Sequence, residues 1–468
     1  MADVKAKEAA DINKFVYNGL KDYYLWNDQV PYLAVSKFVI KEELNTFLNT
    51  YSDPDKLFTS LLYKYTIVDK WSFIVDDSKA IDDWIQGISE TMGFDFMLGY
   101  IGESNDVFGL VRYVYKGSPA EKAGVKRGDY FMKVDDVQLT DANYQTLLYT
   151  KLNYKLSLAT LTGNRTAGYT ISVNGKSVAM TAVKLQENPI QLDTVLNVSG
   201  FKVGYLVYNS FNADFDIQLN DVFKGFKAAA IDKLVIDLRY NGGGSAQSAI
   251  YPASMIYGTN TSKVFLKSFY NSGVQAEIIS TEGAAALDQN FTDKIEKTAI
   301  TPETQINTLN FSQVYIISSD NSALASELLI NGLKPYMKVI LVGDSTVGKY
   351  VGSTTIRDLD DNGKVNPNHK WAMQPIVMKA ANSLGVSDYV KGLFPDIQIE
   401  EDFASLRCFG DQDETLLKVV LNDIKGLPHP VVSLKSIKPG MKKVFDSQSA
   451  RPFSKQMYIN PGWTNQKN

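Results

Sequence analysis

The sequence predicts an α/β protein in which a helical opening and a short-strand insertion precede the α/β core. Three patterns carry that prediction. Residues 1 to about 75 set Phe15, Val16, Leu20, Tyr23, Tyr24 and Trp26 in an aromatic-rich stripe with Lys, Asp and Asn between. From Gly93 to about Glu187 the pattern changes to short strands and turns. From residue 200 onward, apolar strand-like runs alternate with amphipathic helical stretches. At 468 residues the chain is long enough for two to four domains. The division is a helical region over 1–92, a short-strand module over 93–187, an α/β core over 188–430 and a tail over 431–468.

Composition narrows the function classes. A net charge of −4 is not basic enough to suggest nucleic acid. No apolar run approaches the length of an integral membrane span. The single cysteine, Cys408, excludes an intramolecular disulfide and any multi-cysteine metal site, and it reads as a small buried residue. Only His369 and His429 are available as imidazole bases, and His429 sits in the loop-like LPHP. That scarcity favours lysine as a base. The first residues, Met1-Ala2-Asp3-Val4-Lys5, are polar and show no export signal.

Along the chain, Asp53-Pro54 starts a helix that buries Leu57, Leu61 and Leu62, with Pro in its first turn. Asp69-Lys70-Trp71-Ser72-Phe73-Ile74 closes the region, and Asp76 to Glu90 reads as a further helix. GFDFMLGYIG and FGLVRYVY then form partner strands. Ser118-Pro119 caps a short helix that Gly124 ends, Tyr130 to Val134 is a strand, and Asp141 to Thr150 a helix. In the core, FKVGYLVYNSF is a buried strand and Asp214 to Ala230 a helix. Lys233 to Leu238 is a strand ending in RYNGGGS, and a Ser245–Ile256 helix follows. Glu282–Thr308 reads as a polar loop, and Asp413 to Ile424 is the last clear helix. The tail after Gly426 is rich in Pro and Gly and is expected to wrap the surface or lie loose.

Two stretches carry chemistry. Asp237-Leu238-Arg239-Tyr240-Asn241-Gly242-Gly243-Gly244 ends a strand, and its glycines let backbone amides approach an anion closely. Gln313 to Ser353 reads as strand, turn, helix, strand and glycine turn, presenting Lys349. A turn leading into a helix is a common seat for an alcohol nucleophile with a backbone oxyanion hole.

The segment KGSPAEKAGVKRGDYFMKVDDVQL resembles a PDZ domain through its ordered Ser-Pro-Ala, Ala-Gly-Val and Gly-Asp elements. By that resemblance, Gly93, Phe94, Asp95 and Phe96 form the carboxylate loop and the strand to which a peptide C-terminus adds. The competing reading is a PDZ fold with a blocked groove. IDLRYNGGG, NSALASELLINGLK and VGDSTVGK, in that order after the PDZ-like segment, are similar to the C-terminal processing (tail-specific) serine peptidases. DINKFVYNGLKDYYLW, DKWSFI and GLFPDI extend the likeness over roughly residues 10 to 425, in the manner of bacterial members. The resemblance implies a crotonase-like (ClpP/crotonase) α/β catalytic core with an inserted PDZ domain and an N-terminal helical region. It implies proteolysis by a serine–lysine dyad with no metal or cofactor, acting on peptide or unfolded-protein C-termini. It also implies a periplasmic, secreted or envelope-anchored location, although this chain carries no export signal.

Matched to the family motifs, Lys349 is the base, and Gly243 with the amide of Ala325 forms the oxyanion hole. Such a lysine must be desolvated, because its ordinary pKa of about 10.4 would keep it protonated. The family's glutamine after the lysine has no counterpart, and Ser353 lies close to that position. The family alternates Ser-Ala-Ser-Ala-Ser-Glu around its nucleophile. Here the stretch is Ser322-Ala323-Leu324-Ala325-Ser326-Glu327, so Leu324 takes the nucleophile's place. The leading expectation is therefore a pseudoenzyme that still binds C-termini. The alternatives are an active serine endopeptidase using Ser322 or Ser326, an engineered inactivation, and a non-catalytic envelope interaction module. Asp358 to Gly363 resembles half of an EF-hand loop, but His369 stands where the loop's Glu belongs. A hairpin with Asn362-Gly363 at its tip is the expected structure.

Overall fold

The computed structural model describes residues 2–100, 104–164, 168–298, 302–360, 362–428, 443–450, 453 and 457–460. Its central sheet shows why the core strands read as continuous apolar runs. Phe201–Tyr208, Lys233–Asp237, Gln313–Ser318, Lys338–Gly343 and Ile397–Gln398 lie side by side and parallel, and Ile190–Val198 closes one edge antiparallel. Successive side chains point to opposite faces, and both faces are buried. Leu206, Ile316 and Leu341 face the helices Asp216–Ala228, Ala246–Tyr257 and Ala325–Leu333. Tyr205, Tyr315 and Ile340 face Thr415–Ile424 on the other side.

A second sheet runs Gly244–Ser245, Met457–Tyr458, Val351–Ser353, Ile376–Ala381, Val264–Tyr270 and Asp288–Asn290. It lies beside the glycine turn and the lysine. The N-terminal helices Ala2–Tyr23, Lys41–Leu48 and Pro54–Ser60 have no separate core. Val16, Leu20, Leu57 and Phe58 share one apolar cluster with the core helices. Asp53 caps Pro54–Ser60 by accepting from Asp55 N–H.

The short-strand module forms its own sheet from Phe94–Tyr100, Val107–Val114, Tyr130–Val134, Asn153–Asn164 and Gly168–Thr181. Ser118 caps Pro119–Lys122 through Glu121 N–H, and Asp135 and Asp136, both with positive φ, turn the hairpin behind Tyr130–Val134.

Four expectations need correction. The helix expected over Asp76–Glu90 spans only Lys79–Ile85. Gly87, at φ +68°, turns the chain, and Ile88–Thr91 pairs as a strand with Val183–Gln186. Asp141–Thr150 contracts to Tyr144–Tyr149. The loop expected over Glu282–Thr308 carries the short strands Asp288–Asn290, Lys294–Ile295 and Thr304–Gln305, and it follows a helix, Ser272–Glu282, that Asn271 caps and Gly283 ends. Cys408 is exposed rather than buried. The described part of the tail, 443–450, 453 and 457–460, wraps onto the module and the core rather than lying loose. Asp446, Ser447, Gln448, Met457 and Tyr458 are buried, while His429 lies outside the described residues. The hairpin at Asn362-Gly363 forms as expected, with Asp360 N–H bonded to Lys364 O and Asp358 engaged by His369 Nε2 at 2.9 Å. Among the described residues no helix is long and apolar enough to cross a membrane.

Candidate active site

The strand Gln313–Ser318 delivers a tight turn, and the helix Ala325–Leu333 starts immediately after it. Leu324 sits at the junction with φ 58° and ψ −102°. Leucine in that region is strained by about 1–3 kcal/mol, and such strain persists only where neighbours over-determine the backbone. The side chain is 1% exposed and belongs to the main apolar cluster.

Glu327 does the over-determining. Its carboxylate accepts from Leu324 N–H at 2.8 Å, Lys349 N–H at 3.0 Å, Gly348 N–H at 2.6 Å and Thr346 Oγ1 at 2.5 Å. One side chain thus ties the helix start to the glycine turn that presents Lys349. Burial pushes the Glu327 carboxyl above its usual range, and these four donors oppose that shift. The sequence carries a signal for this role. A Glu three residues beyond a helix cap is half of a capping box.

Gly348 cannot be replaced without moving the chain. Its φ is +90°, and a Cβ there would stand 2.6 Å from Gly392 N and from Val390 O. Lys349 follows, fully buried, with Nζ 5.0 Å from the Trp71 ring centroid. Burial drives its amine well below the ordinary lysine value, against the attraction of Asp69 and Glu327. Asp69 is itself fixed by Tyr24 Oη at 2.8 Å and by the Trp71 and Ser72 amides at 3.0 and 2.9 Å. Trp71 and Asp69 of the DKWSFI stretch in the N-terminal region therefore flank the lysine, a role its motif alone did not assign.

The glycine turn lies across the parallel strands. Gly243 has φ +111°, its N–H donates to Asn241 Oδ1 at 3.0 Å, and its carbonyl accepts from Phe211 N–H. Ala323 N–H bonds Asn241 O, which joins the turn to the residue just before Leu324. Among the described residues the Ala325 N–H, at the first turn of its helix, has no hydrogen-bond partner, as helix starts leave such donors free.

Both candidate substitute serines are fully buried and engaged. Ser322 Oγ donates to Leu238 O at 2.7 Å, and Ser326 Oγ donates to Asn241 O at 3.1 Å. Ser353 donates to Met457 O and accepts from Gln374 Nε2 at 3.1 Å. Gln374 is a buried amide that sequence spacing could not bring to this position, because it arrives from a different strand.

The PDZ-like residues collect elsewhere. Gly93 O accepts from Tyr115 N–H and Ser118 Oγ. Phe94 pairs with Val114, and Asp95 accepts from Arg112 Nε at 2.5 Å. The module docks on the core over Tyr240, which stacks on Tyr113 at 5.6 Å and lies 4.9 Å from the Arg112 guanidinium. Arg127 reaches Glu401 of the core at 2.6 Å, and Arg239 reaches the same carboxylate at 2.8 Å. Burial would raise the Glu401 pKa, but the two guanidinium groups outweigh it and hold it at about 2. The two sites are thus joined through Tyr240, at the mouth of the glycine turn.

Three family descriptions match this chain. Residues 11–73 match the peptidase S41 N-terminal domain, residues 110–158 a PDZ domain, and residues 202–398 peptidase family S41. The chain belongs to peptidase family S41. Within that family it is 25% identical over 325 residues to a Staphylococcus aureus protein described as a CtpA-like serine protease, a match covering 69% of this chain. It spans about half, 55%, of the length of that relative. It is 22% identical over 379 residues to the carboxy-terminal processing protease CtpA of Bacillus subtilis, covering 80% of this chain and 70% of that one. A Bacteroides fragilis structure assigned to the S41 proteases has the same fold, with a TM-score of 0.66 at 23% identity. That match covers 88% of this chain and 97% of the other. The S41 fold here is mixed α/β, with a PDZ domain and an N-terminal domain.

Proposed function

We propose that this S41 chain binds peptide or unfolded-protein C-termini through its PDZ domain and cleaves them poorly or not at all. On this reading the core is crotonase-like, Leu324 occupies the nucleophile's place, Lys349 is the base, and Ala325 N–H surrounds the oxyanion with Gly243, whose N–H must first leave Asn241 Oδ1. The observation that carries the proposal is the strained backbone at Leu324, held by Glu327 against the lysine turn with no hydroxyl to aim. A leucine side chain has no lone pair to attack a carbonyl carbon and no proton to give the amine. The depressed pKa of Lys349 is what a neutral general base needs, and it is retained without a nucleophile to serve. Ser322 and Ser326 would have to break backbone hydrogen bonds inside a closed core to take over. An envelope or periplasmic location belongs to the same proposal by family resemblance.

The test is incubation with an unfolded, apolar-tailed protein and a search for fragments. No turnover is expected from the unaltered chain, and cleavage is expected after Leu324→Ser. Turnover by the unaltered chain that disappears in Lys349→Ala would overturn the proposal.

A further inference from the structure

The outer edge of Phe94–Tyr100 is where an added peptide strand would pair. That edge is filled by the chain's own Lys443–Asp446, antiparallel, with Lys443 opposite Gly99, Phe445 opposite Leu98 and Asp446 opposite Met97. The side chains fit the groove as well as the backbone does. The Phe445 ring lies 4.9 Å from Tyr144 and 5.8 Å from Tyr149 on the helix wall, and 6.5 Å from Phe96 on the strand wall. One residue later, the Asp446 carboxylate takes both terminal nitrogens of the buried Arg112, at 2.7 and 2.5 Å. Ser447 Oγ accepts from Phe96 N–H and donates to Asp95 Oδ2, both at 2.9 Å.

The segment also reaches the core. Asn321 Nδ2 donates to Asp446 at 3.2 Å, and Gln448 Nε2 donates to Tyr240 O at 2.7 Å. Asn321 lies in the turn before Leu324, and Tyr240 precedes the glycine turn. Met457–Tyr458 then pairs with Gly244–Ser245 and with Ser353, beyond Lys349. One tail therefore contacts the peptide groove and the strands beside the candidate active site.

We infer that Lys443–Gln448 is the resident ligand of the PDZ groove, and that an external peptide binds by displacing it. The groove then selects an extended segment in which an aromatic residue is followed directly by a carboxylate-bearing one, with Arg112 reading the carboxylate. This rests on the proposed reading of the groove as a peptide site. A covalently attached ligand competes without the translational cost of a free one, so the unaltered chain resists weak peptides.

The probe is a fluorescein-labelled peptide, Lys-Val-Phe-Asp-Ser-Gln, titrated by anisotropy into the full chain. The Phe445→Ala/Asp446→Ala full chain should bind it at least about tenfold more tightly than the unaltered chain, a difference of about 1.4 kcal/mol. Asp446→Asn, a near-isosteric change that keeps the fold within reach if the double variant is unstable, should fall between them. Equal affinity for the unaltered chain and Asp446→Asn, or no binding to a folded double variant, would overturn the inference. A second peptide ending in an apolar free carboxylate tests the C-terminus reading separately. If its amide binds the double variant equally well, that reading fails while the tail's assignment stands.

Discussion

The two sites of this molecule differ in what has been altered. At Leu324 the surroundings are those of a reactive centre, with a strained turn, a fully buried lysine and a carboxylate joining them, but the side chain at the focus is apolar. In the PDZ module the edge of Phe94–Tyr100 is paired by a segment of the same chain, whose Asp446 meets the buried Arg112. On the proposed reading, one site keeps its architecture without its reactive group, and the other keeps its architecture with a ligand already in it. Reactivity can be lost at one atom, because chemistry depends on a single hydroxyl. Recognition is spread over a strand edge, an aromatic wall and an arginine, so occupation rather than substitution is the economical way to silence it.

The largest effect that would sharpen this comparison is a gain of proteolysis in Leu324→Ser, read as fragments of an unfolded substrate, and no gain would break it. The same change should destabilise the fold by about 2–4 kcal/mol, since it removes a buried leucine side chain. A denaturant midpoint measured beside the activity assay checks both.

Arg112→Ala strikes the other site. It leaves Asp95 and Asp446 buried without their shared cation, and a loss of about 3–5 kcal/mol is expected. Calorimetry should show Arg112→Ala melting far below Asp446→Asn, which keeps the Asp95 pair.

Acid should act on the contact between the sites. Glu401 is held at about 2, below its unfolded value of about 4.3, so the folded state binds fewer protons and its contribution is full above that unfolded value. It fades as pH falls toward 2. Thermal melts from pH 5 to 2 should show this slope, and Glu401→Gln should flatten it.

The smallest expected effect sharpens the lysine's state. Its folded pKa is depressed, so between that value and about 10.4 the unfolded chain binds the extra proton and stability rises with pH. Lys349→Met should raise the melting temperature at neutral pH, and the gain should shrink as pH approaches 10.4. A gain unchanged with pH would mean that the amine stays charged when buried.

Most of the core was legible in the sequence because burial of both strand faces leaves unbroken apolar runs, as in Val314–Ile317 and Val339–Val342. The turn at Leu324 was legible for a different reason: its position between a strand and a helix is local. Glu327 and Gln374 were not assigned roles, because their partners lie on separate elements that meet only in the fold. The helix Ser272–Glu282 escaped notice because its apolar residues do not form a clear face, while its cap Asn271 and stop Gly283 were the available signals. The partners of the tail were not legible for a related reason. Proline and glycine content describes how a segment bends, not which edge it pairs with, and Phe445–Asp446 is too short to show a period.

The strain at Leu324 bears on how reversible this state is. The backbone is held by Glu327 and its four donors, none of which involves the leucine side chain. The turn would therefore outlast a change of side chain. A leucine codon of the TTA or TTG type becomes a serine codon through a single base change. On the proposed reading, in a lineage carrying such a codon the reactive hydroxyl and its loss lie one mutational step apart, and the order of the surrounding site need not be rebuilt in either direction.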